Sequence, residues 1–314
     1  MKNEILRRLS ALALGLALLL NAAPLPQAFA VEDDTDASSS DSADSTDTAD
    51  KTAVTTADND PTVTAAAANA PALDATAALL VSPESDMVLY EKNADEKRYP
   101  ASTTKIMTAL LTLENVSDLS AVVTAEASDF ENVTADSSNA GIKLGEQVTV
   151  KDLLYALMLP SANEAAYMLA RHVGGSWEQF VDMMNERAAE LGCTGTHFCN
   201  PCGLHEDDHY TTAHDLYRIA KQAMKDATFR DIVSTVQHRM AKTNLHEERI
   251  ILTTNQLIFS SFQPWSYANC LGIKTGHTSQ AGNCFVGYAE YGDAKLFSVV
   301  LGCSSSSKEY PTIA

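Results

Sequence analysis

The sequence predicts an α/β (α+β) fold: a five-stranded antiparallel sheet flanked by helices, with an all-α lobe inserted into it. Three observations predict it. Two short alternating apolar segments open the folded region, four segments of helical character follow in a row, and three further strand-like segments close the chain.

The first pair of strands is Ala77 to Val81 and Met87 to Glu91, joined by a Pro-Glu-Ser-Asp turn. Pro100 stops the chain, and Ser102 to Leu113 then has helical spacing, with Ile106, Met107, Leu110 and Leu111 forming an apolar stripe suited to a core. Thr149-Val150-Lys151-Asp152 resembles a capping box and opens a helix through about Leu159. Pro160 breaks that helix and leaves Ser161 and Asn163 in the turn before the next. Ser176 caps a further helix ending near Leu191-Gly192, and Thr212 caps another. After about Ile250 the texture changes. Leu271 to Gly276, Cys284 to Glu290 and Ala294 to Gly302 read as strands, with Tyr291-Gly292-Asp293 as a hairpin turn. The chain's two ends thereby close one sheet around the helical insertion.

Ahead of this region, residues 1–30 read as a signal peptide. Lys2, Arg7 and Arg8 form a basic segment, Leu9 to Leu20 an apolar one, and Ala28-Phe29-Ala30 a small-x-small cleavage site. An uncleaved anchor is the rival reading; both place the mature chain outside the cytoplasm, secreted or at the outer face of the cytoplasmic membrane. Residues 31–70 are rich in Asp, Ser, Thr and Ala and lack aromatics, so they are expected to be a disordered acidic tether. Val31 to Asp60 alone carries ten acids and one lysine, which accounts for much of the formal charge of −19. Such a chain is a poor partner for nucleic acid. No segment after residue 30 is long and apolar enough to span a membrane. Residues 71–314 suffice for one sizeable core or two tightly associated lobes.

Three motifs occur in order: Ser102-Thr103-Thr104-Lys105, Ser161-Ala162-Asn163 and Lys274-Thr275-Gly276. Order and context carry the signal, because the first two patterns each arise by chance about once in a chain this long. Decoys are present at Ser305 to Lys308 and Ser137 to Asn139. Ser102 and Lys105 are three apart at a helix start, so they share a face. A serine hydroxyl needs an adjacent base, and a second cation, Lys274, would lower the pKa of Lys105 toward that role. Ser161 can relay a proton, and Asn163 can hold Lys105 and donate to a substrate; both are also ordinary residues before a helix. Lys274 and Thr275 can bind a terminal carboxylate, and Gly276 allows substrate to lie close to the strand. The N–H groups of Ser102 and His277 are oxyanion-hole candidates, with the His277 side chain a bystander. Lys105 as a solvated surface lysine is the bland alternative.

The six cysteines, Cys193, Cys199, Cys202, Cys270, Cys284 and Cys303, read as buried thiols or one or two disulfides. Cys199 and Cys202, near His197 and His205, have zinc-like spacing, but no second pair completes a site, so no metal is expected.

On these residues the chain resembles the serine-type D-alanyl-D-alanine carboxypeptidases, the low-molecular-mass penicillin-binding proteins. The likeness runs from about residue 75 to the end. It includes Pro100 to Ala109 around the nucleophile, Leu157 to Ala166 around the second motif, and Lys274 to Thr278 with Ala281 to Cys284 around the third. Between them, Thr196-His197-Phe198, Asn200-Pro201, Gly203-Leu204-His205 and His209 to Ala213 resemble the family's central stretch. The resemblance implies a penicillin-binding-protein/β-lactamase-like fold. It also implies a Ser102 acyl-enzyme that removes the terminal D-Ala from peptidoglycan pentapeptide in cell-wall maturation, acylation by β-lactams, and no cofactor. Thr254 stands before Asn255-Gln256-Leu257, where family members often carry a carboxylate-binding arginine, and a Cys199–Cys202 thiol pair is not expected there. The sequence stops where the family would begin a last helix, so a fragment is expected, with any membrane association left to an anchor that the sequence does not contain. The alternatives are a class A-type β-lactamase, for which no Glu-x-x-x-Asn loop is found, a D-amino-acid esterase or amidase, and a non-catalytic wall-binding module.

Overall fold

In the computed structural model, residues 73–134, 137–258 and 266–304 are described. The expected signal peptide and the expected acidic tether, residues 1–70, lie outside them.

The two ends of the folded region meet in one antiparallel sheet. Its strands are β1 (Ala77–Ser82), β2 (Met87–Lys92), β7 (Cys270–Thr278), β8 (Gly282–Tyr291) and β9 (Ala294–Cys303), in the order β2-β1-β9-β8-β7. This is the five-stranded sheet that the alternating segments predict, each strand within two residues of its expected bounds. Tyr291 pairs with Ala294, so Gly292 and Asp293 form a two-residue hairpin loop, and Gly292 has the positive φ of 59° such a turn demands.

Between β2 and β7 lies the helical lobe. A 3₁₀ turn, Ala101–Thr104, leads directly into α1 (Lys105–Asn115); α2 (Val150–Met158), α3 (Asn163–Gly174), α4 (Trp177–Glu190), α5 (Ala213–Ala223) and α6 (Ala227–Ser234) follow. Every residue of α1 from Lys105 to Thr112 is buried, the pattern of a helix enclosed on all sides. It packs against α2, α3, α4 and α5, while α5 packs on β9 and β1 and α6 on β7. The three expected caps form: Thr149, Ser176 and Thr212 side chains accept from the N–H groups of Asp152, Gln179 and Asp215.

The lobe is not purely helical. Two ribbons interrupt it, β3 (Val122–Thr124) with β4 (Gln147–Thr149), and β5 (Gln237–Met240) with β6 (Arg249–Leu252). The first uses three-residue strands, too short to show alternation, and the second is mostly polar on one strand, so neither had a periodic signature. The 22-residue connection from β3 to β4 is fastened at both ends. Arg171 of α3 forms a bidentate pair with buried Asp129 and reaches Glu126 and the Thr124 carbonyl. Fully buried Glu146 accepts from Lys143 N, Thr243 Oγ1 and Arg249.

Candidate active site

The 3₁₀ turn carries Ser102 to the head of α1. Ala101 just before it has φ of 48°, a left-handed backbone rarely held by a residue with a side chain. The turn is braced from within by Thr103 Oγ1 donating to Pro100 O (2.7 Å). It is braced from outside by Thr104 Oγ1, 2.8 Å from His209 Nε2. Because Cys199 N–H donates to His209 Nδ1 (3.1 Å), the neutral ring must carry its proton on Nε2 and donate to Thr104. Burial agrees with a neutral ring, pulling its pKa to about 3.

Lys105, one turn on, has its Nζ 3.0 Å from Ser102 Oγ, 2.8 Å from Asn163 Oδ1 and 2.7 Å from the Cys202 carbonyl. Three acceptors match the three N–H donors of an ammonium. The side chain is fully buried. Burial pulls its pKa down to about 8, partly countered by the negative charge of the Cys202 thiolate form and of Glu164. Asn163 is the first residue of α3 and also anchors its own N–H on Ser138 O (2.9 Å). Ser161 is held in a left-handed conformation, φ 65°, and its buried Oγ has no hydrogen-bond partner among the described residues. A strained backbone with a buried, uncommitted hydroxyl is the type of feature that accumulates at functional sites.

The opposite wall is β7. Lys274 is also buried, and its Nζ donates to the Thr275 carbonyl (3.0 Å). Burial, and then the charge of Lys105, depress its pKa well below the ordinary value. The expected contrast of a neutral Lys105 beside a charged Lys274 therefore does not follow from burial. Both amines are pushed toward neutrality, Lys274 the more so because it has fewer acceptors to stabilise its charge. Thr275 Oγ1 lies 2.6 Å from Thr254 Oγ1, so a hydroxyl pair occupies the place where an arginine was expected. Gly276 makes room within the protein as well. A Cβ there would fall 2.9 Å from Ser102 N and 3.1 Å from Thr103 N, so its absence admits the Ser102 turn. The His277 ring is exposed and sits 3.1 Å from Asn283 Oδ1 on β8, apart from the motif side chains.

The structure thus brings Ser102, Lys105, Asn163, Lys274, Thr275 and Gly276 around one turn, with Ser161 two residues before Asn163 and its hydroxyl unbonded among the described residues. Sequence reasoning missed several contributors. The Cys202 carbonyl is invisible to motif reading because the side chain has no part in it. Gly203 was the available clue: with φ of 86°, its missing Cβ would lie 1.9 Å from Ala101 O, which shows how tightly that loop abuts the Ser102 turn. Asn200 Oδ1 fixes the loop by accepting from Gly203 N (2.7 Å). All six cysteines are free thiols, and no group of three metal-ligating side chains occurs among the described residues. A cavity of about 530 Å³ between β1, β2 and α5, lined by Asp86, Tyr217 and Lys221 among others, contains none of the motif residues.

A family model described as D-alanyl-D-alanine carboxypeptidase matches residues 64–305. The D-alanyl-D-alanine carboxypeptidase DacF of Bacillus subtilis is 34% identical over 233 residues, covering 74% of this chain and 58% of its own. A D-alanyl-D-alanine carboxypeptidase of Streptomyces sp. (strain K15) is 36% identical over 230 residues, 69% of this chain and 77% of its own. The crystal structure of the DD-transpeptidase of that Streptomyces superposes with a TM-score of 0.68 at 35% identity, covering 74% of this chain and 92% of that one. The chain therefore spans little more than half the length of the Bacillus relative but most of the Streptomyces one.

Proposed function

The chain belongs to the D-alanyl-D-alanine carboxypeptidase family of peptidases, and on that premise we propose that it removes the terminal D-Ala from peptidoglycan pentapeptide through a Ser102 acyl-enzyme. The observation that carries this reading is Lys105 Nζ at 3.0 Å from Ser102 Oγ with its pKa drawn to about 8. At pH 7 such a lysine is neutral in roughly a tenth of molecules, against about one in 2,500 at the ordinary value. The acid limb of acylation should accordingly rise through about pH 8.

Neutral Lys105 takes the Ser102 proton as Oγ bonds to the penultimate D-Ala carbonyl carbon. The Ser102 and His277 N–H groups stabilise the oxyanion. The C–N bond then breaks, and the proton passes from Lys105, with Ser161 as relay, to the departing amine of the terminal D-Ala. Water attacks the ester, Lys105 accepts its proton, and Ser102 Oγ recovers one as the shortened peptide leaves. Asn163, whose Oδ1 is committed to Lys105, has its Nδ2 to offer the substrate backbone. Lys274 and the Thr275 hydroxyl receive the terminal carboxylate, whose charge restores the proton that burial tends to remove from Lys274. No cofactor is required by this scheme. β-Lactams would acylate Ser102 in the same way. We place the reaction outside the cytoplasm, with residues 1–30 as signal peptide and 31–70 as tether to a domain over 71–314. Among the described residues no helix is long and apolar enough to cross a membrane.

The test is alanine release from matched peptides ending in D-Ala-D-Ala, D-Ala-L-Ala and D-Ala-D-Ala-amide. The first should be cleaved much faster. Equal rates on all three would refute carboxylate anchoring and favour an esterase or amidase.

A further inference from the structure

Glu164 follows Asn163 in the first turn of α3, and its side chain is 2% exposed. One carboxyl oxygen, Oε1, accepts from Ala140 N at 2.6 Å and from Ile142 N at 3.4 Å. The other, Oε2, is buried with no hydrogen-bond partner among the described residues. The neighbouring Asn163 N–H donates to Ser138 O. The segment from Ser138 to Ile142, which carries most of the decoy Ser-x-Asn pattern, is thus stitched to the helix head that holds Asn163 on Lys105. It is the middle fastening of the β3–β4 connection, whose ends are held by Arg171 and Glu146.

An unpaired carboxyl oxygen in a closed site is costly, so the residue needs a reason to be a carboxyl group. Here Oε1 spans two backbone N–H groups two residues apart. Burial raises the Glu164 pKa, while those N–H groups and then the charge of Lys105, from α1, lower it. The Ser138–Ile142 segment offers only backbone N–H groups, and Arg171, two turns along α3, is committed to Asp129 and Glu126.

We propose that Glu164 is a positioning residue for the catalytic base: it latches the Ser138–Ile142 segment to the head of α3 through Oε1, and so holds the Asn163 amide on Lys105. The inference rests on the Ser102–Lys105 reading above, but its latch can be read without activity. Glu164→Gln keeps an acceptor oxygen and removes the charge; Glu164→Ala removes both.

Amide hydrogen exchange in the full chain should show faster exchange at Ala140, Ile142 and Asn163 in Glu164→Ala and near-parental protection in Glu164→Gln. Penicillin acylation should fall on the order of tenfold to a hundredfold in Glu164→Ala, a typical cost of a displaced catalytic group. In Glu164→Gln acylation should stay close to the parent, because the acceptor oxygen of the latch is kept, and this rescue is the readout that a residue valued only for bulk or charge would not give. Unchanged exchange in Glu164→Ala would overturn the latch, and acylation lost equally in Glu164→Gln and Glu164→Ala would overturn the positioning role. Failure of the parent protein to label at Ser102 is a separate result that bears on the proposed function, whereas the exchange comparison still decides the latch.

Discussion

Lys105 and Lys274 are equally hidden from water, but their surroundings differ. On the α1 side, the ammonium meets three acceptors drawn from three separate parts of the chain. On the β7 side, the ammonium meets the carbonyl of its own neighbour, Thr275. Burial disfavours both charges, and the number of acceptors separates them. A proton-transfer group must be fixed before the substrate arrives, because small displacements are expensive. A recognition group must keep bonding capacity for the ligand. On the proposed reading, the difference between the two walls is a difference between a group that is already satisfied and one that the substrate completes.

The comparison can be broken most severely at Ser102. Ser102→Ala should abolish covalent labelling by a fluorescent penicillin, with Ser305→Ala as a control that labels normally; an adduct mapped to Ser305 would end the assignment. Next come the lysines themselves. Lys105→Arg should lose acylation by about a hundredfold or more, the typical contribution of a general base, since guanidinium does not give up its proton. Lys274→Arg should retain substantially more, because a second cation can still meet a carboxylate. Comparable rates in the two variants would erase the distinction between the walls. A smaller effect is expected where the walls touch. Gly276→Ala pushes a methyl to within 2.9 Å of Ser102 N. It should destabilise the protein by about 1–3 kcal/mol while slowing acylation; a thermal melt and a labelling time course measure both, and an unaffected melt would show that the turn yields. The smallest effect should come from the thiols. Alkylation of the native protein should begin at half-buried Cys199 and leave penicillin labelling intact, since burial raises the Cys202 thiol pKa and keeps it inert. Mass analysis of the labelled adduct checks this, and loss of labelling upon modification of Cys199 alone would give that thiol a role.

How much of this was legible beforehand depends on the kind of signal. The sheet was legible because Ala77–Ser82, Cys270–Thr278, Gly282–Tyr291 and Ala294–Cys303 alternate or run apolar for long enough to declare themselves. Helix starts were legible from Thr149, Ser176 and Thr212, whose capping is local chemistry. The ribbons were not, because three-residue strands such as Val122–Thr124 gain their form from what they pack on. At the site, side-chain roles followed from motif spacing. Contributions by backbone did not: the Cys202 carbonyl, the left-handed Ala101 and Ser161, and the space left by Gly276 for Ser102 all depend on how distant segments meet. Glu164 fell between these cases, since its position after Asn163 was visible but its burial was not.

The placement of the helical insertion has a consequence for when activity can appear as the polypeptide is made. Thr76, ahead of β1, bonds to Leu301 on β9 across 225 positions, and the nucleophile turn near residue 102 has no binding wall until β7 has formed some 170 residues later. On the proposed reading, a nascent chain would hold its serine, its base and its proton relay long before it held a place for a substrate. Reactivity would then be withheld until nearly the whole of the described fold has emerged, by the order of synthesis alone.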